Sequence, residues 1–121
     1  MSATGRGSQR HPDDYYRTPA WCVRALARRF VIGSVLDPAA GDGAIMEHFP
    51  RSKGIELDPD RALASGSFCG DALAFNWDHR GDVVMNPPYS MAEAFIRHAL
   101  SEPGVTRVFA LLRLNFLGSQ K

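Results

Sequence analysis

The sequence predicts an α/β protein with a doubly wound parallel sheet, and three observations support that class. Short apolar runs of strand length alternate with helical stretches from about residue 18 to residue 112. Glycine and acidic residues cluster directly after these runs, at the strand ends where such sheets bind ligands. The 121 residues, 45% hydrophobic and 22% charged, suit one hydrophobic core of ordinary size.

Local signals define the elements in chain order. Residues 1–14 have almost no apolar content and predict a disordered or loosely held arm, which leaves 15–121 as the folded domain. Thr18 and Pro19 predict a helix start with Thr18 as the N-cap, and Gly33 can end that helix. Apolar runs predict strands at 34–37, 53–57, 68–70, 82–85 and 105–112. Further helices are predicted at 43–49 and at 91–101.

The net charge of +1 is unevenly distributed. Residues 1–31 carry +4, residues 32–86 carry −5 and residues 87–121 carry +2. The basic segments permit a polyanionic partner at one face, although a solvated surface explains them equally well. No apolar run approaches the roughly 20 residues that a membrane span needs. Cys22 and Cys69 lack metal-ligand spacing, so we predict free, buried thiols in a reducing cytoplasm and no metal site.

Three predicted strand ends carry residues suited to a nucleoside cofactor. The first strand ends in the loop 37–43, where Gly41 and Gly43 permit a tight turn and a close backbone approach. The second ends near Glu56, whose carboxylate can accept hydrogen bonds from both ribose hydroxyls. The third ends in Asp71 and Ala72, where the acid can accept a hydrogen bond from an adenine amino group.

The charge of the first loop narrows the choice of cofactor. This loop contains Asp37 and Asp42, and the sequence has no phosphate-binding G-x-x-x-x-G-K-[ST] motif. Acidic groups disfavour a pyrophosphate and favour a positively charged ligand. S-adenosylmethionine, with its sulfonium and α-amino groups, fits this description and a dinucleotide does not.

The stretch Asn-Pro-Pro-Tyr at 86–89 follows the fourth predicted strand, beside the predicted cofactor cleft. An exocyclic or carboxamide NH₂ group is a poor nucleophile because its lone pair is delocalised. Two acceptors for its hydrogens, the Asn86 side-chain oxygen and the Pro87 carbonyl, can localise that lone pair. Pro87 and Pro88 stiffen the backbone, and the ring of Tyr89 can stack on a planar group. These four residues predict methylation of a planar amino or amide nitrogen.

The chain resembles the S-adenosylmethionine-dependent DNA adenine-N6 methyltransferases of phage and prophage type. Residues 86–89 match that family's catalytic tetrapeptide and 37–43 its cofactor loop, while Glu56 and Asp71 match its ribose- and adenine-binding acids. Residues 16–19 are similar to an element that precedes the loop, and residues 112–117 also resemble the phage enzymes. The resemblance implies a Rossmann-like class I methyltransferase core, a flipped adenine of DNA as substrate, and the cytoplasm of a bacterial or phage-infected cell. It implies a cofactor site formed by Tyr16, Thr18, Asp37, Ala39, Gly41, Gly43, Glu56, Asp71, Ala72 and Asn86, with Thr18 at the methionine end.

The sequence departs from this family at its C-terminus. Family members continue into a further helix and two more strands, whereas this sequence ends at Lys121. We therefore expect a form truncated after the fifth strand, with that strand at an open edge and available for self-association. No target-recognition domain is visible, so the DNA sequence that would be recognised is unexplained.

Three functions stay open on the sequence. DNA adenine-N6 methylation is favoured by residues 16–19 and 112–117, and methylation of RNA or of a protein glutamine amide shares the same tetrapeptide. A non-catalytic cofactor-binding fragment is the third. Arg113 could contact a phosphate, although a solvated arginine is the more ordinary interpretation. Trp21 and Trp77 are expected to be packing residues, and the four histidines show no ligand spacing.

Overall fold

The computed structural model describes residues 15–112, which contain a five-stranded parallel sheet with flanking helices. This confirms the predicted fold class. The predicted arm at 1–14, Arg113 and the resemblance beyond residue 112 lie outside the described residues. The strands are β1 (Val35–Asp37), β2 (Ser52–Glu56), β3 (Phe68–Cys69), β4 (Gly81–Met85) and β5 (Val105–Ala110). The helices are α1 (Ala20–Arg29), α2 (Pro59–Ser65) and α3 (Ala92–Ser101), with 3-10 turns at Met46–His48, Ala72–Ala74 and Tyr89–Met91.

The strand order is β3-β2-β1-β4-β5, and every neighbouring pair is parallel. The chain therefore runs outward from β1 to β3 and then crosses to the other side of β1. Ligands of open α/β sheets bind at the carboxyl ends of the strands where the order reverses in this way. Asp37 ends β1 and Asn86 follows β4, so the two predicted motifs lie on either side of this switch point.

The two central strands separate two apolar layers. In β1, Val35 and Leu36 point to opposite faces because side chains alternate along a strand, and both are buried. Leu36 packs in the cluster that contains Phe95 of α3, whereas Val35 packs with Val23 of α1. A sheet covered on both faces needs continuous apolar runs in its central strands, which is why these strands could be predicted.

Two helix predictions differ from the structure. The segment 43–49 forms only the 3-10 turn Met46–His48. At its start Gly43 has φ +97°, outside the helical region, and at its end Pro50 disfavours helical geometry at Phe49, which has φ −129° and ψ 114°. The helix α2 was not predicted. It begins after Asp58, whose side chain accepts a hydrogen bond from the Arg61 N–H at 3.0 Å, and it ends at Gly66 with φ +71°.

Strand β5 forms one edge of the sheet within residues 15–112. Arg107 on this strand pairs with the buried Asp82 of β4, with Nη2–Oδ2 and Nε–Oδ1 distances of 2.7 and 3.1 Å. Burial raises the pKa of Asp82, but hydrogen bonds from Arg107 and Thr106 outweigh it and the pKa is lowered overall. The ion pair therefore anchors the edge strand, and self-association through that edge stays a prediction.

The burial predicted for the two tryptophans and the two cysteines is confirmed only in part. Trp77 is a packing residue as expected, because it is buried, stacks on His98 at 4.4 Å and donates to the Ala72 carbonyl. Trp21 is 66% exposed, so its assignment as a packing residue was wrong. Cys69 is exposed and Cys22 is half-buried, both as free thiols, so the predicted burial was wrong for Cys69. No helix within residues 15–112 is long and apolar enough to cross a membrane.

Candidate active site

Asp37 closes the first turn of the loop 37–43 at the end of β1. Its Oδ1 accepts a hydrogen bond from the Ala39 N–H at 3.0 Å, and only 1% of the residue is exposed. Burial raises the pKa of Asp37 to about 7, while the Ala39 N–H lowers it and the Glu56 carboxylate raises it further. A cation that binds beside this loop would stabilise the charged form of the carboxyl group.

Glu56 connects the loop to the end of β2. Its Oε1 accepts from the Gly41 N–H at 2.7 Å, and its Oε2 accepts from the Asp58 N–H at 3.0 Å. Each carboxylate oxygen has a second lone pair, so Glu56 can hold both turns and still accept one hydrogen bond per oxygen from a ligand. That pattern suits the two hydroxyls of a ribose.

The backbone of the loop follows a path that favours glycine. Gly41 has φ +58° and Gly43 has φ +97°, a region that other residues adopt only with strain. A Cβ at Gly41 would lie 2.8 Å from the Tyr15 ring, and one at Gly43 would lie 3.3 Å from Cβ of Ser65. The missing side chains therefore let the Tyr15 ring and Ser65 pack directly against the loop.

Residues 15–19, which we call the strap, lie across this loop. Arg17 Nε donates to Asp42 Oδ2 at 2.9 Å, and Arg17 Nη2 lies 3.5 Å from Glu47 Oε2. The Arg61 guanidinium of α2 lies 3.7 Å from the centre of the Tyr15 ring. Sequence reasoning did not identify Tyr15, Arg17 or Arg61 as part of the site. Their only signal was sequence position, because Arg17 lies within the element at 16–19 and Tyr15 directly precedes it.

The strap holds the side-chain amide of Asn86. Asn86 Nδ2 donates to the Tyr16 carbonyl at 2.9 Å and to Thr18 Oγ1 at 3.1 Å. A carbonyl can only accept, so the atom facing Tyr16 must be the amide nitrogen. With both N–H groups directed to the strap, the group that Asn86 can offer to a substrate amine is its side-chain oxygen.

Thr18 does not cap α1, which corrects the prediction made from Thr18-Pro19. The N-cap is Pro19, and no side chain caps this helix. The buried Thr18 hydroxyl instead accepts from Asn86, 68 positions away in sequence. The Tyr16 backbone serves the same amide, so both predicted residues reach the site through Asn86 and not through the helix.

The prolines and Tyr89 continue from Asn86 toward the surface. Pro87 is buried and Pro88 is half-buried in an extended conformation, with φ −53° and ψ 134°. The Pro88 carbonyl accepts from the Met91 N–H at 2.9 Å, which starts the 3-10 turn Tyr89–Met91. Tyr89 is 39% exposed, so it is not a core residue and part of it faces solvent.

Asp71 and Ala72 lie at the third strand end. Asp71 Oδ1 accepts from the Leu73 N–H at 3.1 Å and caps the turn Ala72–Ala74. Ala72 is buried, and its carbonyl accepts from the Trp77 indole at 2.8 Å. The buried indole thereby fixes the turn that carries Asp71. Within residues 15–112, no group of three or more His, Cys, Asp or Glu could hold a metal ion.

The fold, but not the sequence, is similar to that of known proteins. The sequence matches no protein-family model and no curated protein. Eleven chains of solved structures are similar, and they include the following three. A 23S rRNA methyltransferase, ErmE, has a TM-score of 0.64 at 15% identity, over 84% of this chain and 49% of ErmE. The sugar N-methyltransferase KedS8 from Streptoalloteichus sp. ATCC 53650 has a TM-score of 0.51 at 22% identity, over 79% of this chain and 49% of KedS8. DesVI of Streptomyces venezuelae has a TM-score of 0.55 at 20% identity, over 94% of this chain and 58% of DesVI.

The chain thus spans about half the length of the solved structures it resembles. At these identities the similarity establishes the fold and not the reaction. Residues 15–112 therefore have the Rossmann-like fold of methyltransferases.

Proposed function

We propose that this chain belongs to an S-adenosylmethionine-dependent N-methyltransferase that modifies the N6 amino group of adenine in DNA. The observation that carries the proposal is the orientation of Asn86. Its amide is fixed beside the loop 37–43 with the nitrogen turned to the strap and the oxygen available as an acceptor. Such an acceptor is what an exocyclic amino group needs in order to act as a nucleophile.

The described residues fit S-adenosylmethionine better than a phosphorylated cofactor. Asp42, Glu56, Asp58 and Asp71 all lie at the carboxyl ends of β1, β2 and β3, where a pyrophosphate would be repelled. Glu56 would hold the ribose hydroxyls, Asp71 the adenine amino group, and the backbone at Gly41 and Gly43 the methionine portion. When bound, the cofactor supplies an electrophilic methyl group on a sulfonium.

The residues around Asn86 would prepare the acceptor. The Asn86 oxygen and the Pro87 carbonyl each accept one hydrogen bond from the substrate NH₂ group, which localises its lone pair toward the methyl donor. The exposed face of Tyr89 stacks on the planar base once it has left the helix. Bound S-adenosylmethionine would supply the methyl group and leave as S-adenosylhomocysteine, and the methylated nitrogen would release its extra proton to water. No separate general base is needed.

A methyl-transfer assay with labelled cofactor tests the proposal. Unmethylated DNA, RNA and cell protein are offered in parallel, and we expect label in DNA adenine. Asn86→Ala should lower the rate by about 100-fold or more, in the range seen when one preorganised transition-state hydrogen bond is lost. Asn76→Ala, which removes the same group from an exposed loop residue, is the matched control and should keep full activity. Transfer that survives Asn86→Ala undiminished would disprove the mechanism.

Cofactor binding is tested separately by calorimetry. Glu56→Gln places an NH₂ group against the N–H of Gly41 or of Asp58, so we expect affinity for S-adenosylmethionine to fall by about 10-fold or more. Glu93→Gln, an isosteric change on the exposed side of α3, should bind like the wild type. Equal affinity of the Glu56 variant and the wild type would contradict the cofactor assignment.

RNA is the second candidate substrate. The solved structure with a TM-score of 0.64 is a 23S rRNA methyltransferase, and the stacking and acceptor groups described above suit a base of either nucleic acid. Label in RNA with none in DNA would favour this alternative and leave the roles of Asn86 and Tyr89 unchanged. Label in protein alone would instead favour the glutamine amide.

A further inference from the structure

The outer face of α1 carries an exposed aromatic ring and two arginines in one stripe. Trp21 is 66% exposed, and Arg24 and Arg28 are exposed beside it. At about 100° per residue, the two arginines lie within about 60° of Trp21 around the helix, and the buried Val23 lies on the opposite side. We call Trp21, Arg24 and Arg28 the basic stripe.

Packing within the described chain does not account for this stripe. Three other exposed arginines have carboxylate partners, Arg17 with Asp42, Arg97 with Glu93 and Arg107 with Asp82. Within residues 15–112, no ion pair or side-chain hydrogen bond involves Arg24 or Arg28. Arg28 lies in the last turn of α1, where a cation suits the helix dipole, but Arg24 lies in the middle, where that benefit has faded.

The stripe begins at the candidate active site. Thr18, which holds the Asn86 amide, lies less than one helical turn before Trp21. From Trp21 to Arg28 the stripe extends about 10 Å along the helix, or about three nucleotides of one strand of B-DNA. The cofactor half of the site carries the exposed Asp42 and Asp60 and the half-buried Asp58, of which Asp42 is paired with Arg17. A polyanion that reaches Asn86 is therefore repelled on that side and attracted along α1.

We infer that the basic stripe binds the nucleic-acid strand next to the target nucleotide. Arg24 and Arg28 contact phosphates, and Trp21 stacks on an unpaired base beside the one that enters the site. The inference rests on the proposed function to the extent that the substrate is a nucleic acid. The inferred substrate-binding surface lies on α1, which comes before the loop 37–43 in sequence.

The first test measures binding of a fluorescent oligonucleotide as a function of salt, without any methyl transfer. Replacing both arginines by glutamine, R24Q/R28Q, should reduce the slope of log affinity against log salt by about 1.4 for single strands. At 0.1 M salt we expect binding to weaken by about 10-fold. The matched control R51Q/R80Q removes two exposed arginines that lie just before β2 and β4, at the opposite end of the sheet. It should behave like the wild type, and equal losses in both double variants would overturn the inference.

The second test uses the exposed tryptophan as its own probe. A bound single strand should quench the fluorescence of Trp21, and the quenching should disappear in Trp21→Phe, because Trp77 is buried. Trp21→Ala should weaken single-strand binding by about 5-fold or more through the lost stacking. Quenching that persists in Trp21→Phe would refute the stacking role.

Two further outcomes separate this inference from its alternatives. Binding to anionic phosphatidylserine vesicles that is lost in R24Q/R28Q, with no oligonucleotide binding, would identify the stripe as a membrane-binding face and overturn the inference. Methyl transfer to DNA with an unchanged KM in R24Q/R28Q would also overturn it while leaving the proposed reaction intact. Stripe-dependent oligonucleotide binding without methyl transfer would support the stripe and count against the reaction.

Discussion

Replacing Asp37 by asparagine should stabilise the protein, and by more at high pH than at low pH. Asp37 is 1% exposed, and burial raises its pKa to about 7 from the model-compound value of 3.8. Asparagine keeps an oxygen for the Ala39 N–H but carries no charge. The substitution therefore removes the cost of burying an anion beside Glu56 and keeps the turn.

The size of this effect follows from the two pKa values. Between about pH 4 and pH 7 the folded protein binds a proton that the unfolded chain has lost, so the stability of the wild type falls as pH rises through this window. A difference of about 3 pKa units corresponds to about 4 kcal/mol once both states are ionised, and to between about 1 and 2 kcal/mol at pH 5. Above pH 7 the difference between Asp37→Asn and the wild type should level off.

Urea denaturation at pH 5, 6, 7 and 8 measures this difference directly. The free energy of unfolding of Asp37→Asn should exceed that of the wild type, with a gap that widens up to pH 7 and then stays constant. The control is Asp60→Asn, an exposed aspartate in the first turn of α2, which should show no such pH-dependent gain. A difference in unfolding free energy that is constant from pH 5 to pH 8, or a variant less stable than the wild type at pH 8, would refute the conclusion that burial of the Asp37 charge costs stability.

Three further substitutions test other contacts. Gly41→Ala should cost about 1–3 kcal/mol of unfolding free energy, because alanine is strained at φ +58° and its Cβ would collide with the Tyr15 ring. Gly66→Ala, at φ +71° but with open space around the Cβ, measures the backbone strain alone, and equal losses in the two variants would contradict the collision. Asp82→Asn should cost about 2 kcal/mol at pH 7, because Arg107 loses its anion. The ion pair lowers the pKa of Asp82 from its ordinary value of 3.8, so the loss should shrink only as pH falls below that value and the carboxyl group becomes protonated. A loss independent of pH in urea denaturation would contradict this. On the proposed role of Asn86, Thr18→Val should lower kcat of methyl transfer by about 10-fold, because the Asn86 amide loses one of its two hydrogen-bond partners. Thr18→Ser should restore the rate, and equal rates in the valine and serine variants would refute the positioning role.

The parts of the fold with a strong local pattern could be predicted from the sequence. The central strands are continuous apolar runs because both faces of the sheet are covered, and their ends carry the glycines and acids of the site. Helix α2 escaped prediction because it is short and buries only Ala62, so it has no apolar period. Its ends were nonetheless marked by Asp58-Pro59 and by Gly66, which are start and stop signals of a helix.

Interactions between residues far apart in sequence could not be predicted. Thr18 and Pro19 have the pattern of a helix cap, but the threonine hydroxyl binds Asn86 instead, and no local rule anticipates that. The ring of Tyr15 over Gly41 and the pairing of Arg17 with Asp42 are of the same kind. Tertiary contacts of this type override local propensity, and they are concentrated in the strap.

The hydrogen bonds between Asn86 and the strap have a consequence for the order of folding. Gly41 and Glu56, which shape the cofactor loop, are 15 residues apart, whereas Asn86 bonds to residues 68 and 70 positions earlier. Closing a segment of nearly 70 residues costs on the order of 4 kcal/mol in chain entropy, more than the shorter closure does. During synthesis, both ends of the loop are therefore available before Asn86 has been made, and the amide of Asn86 acquires its orientation only once β4 has followed and met the strap.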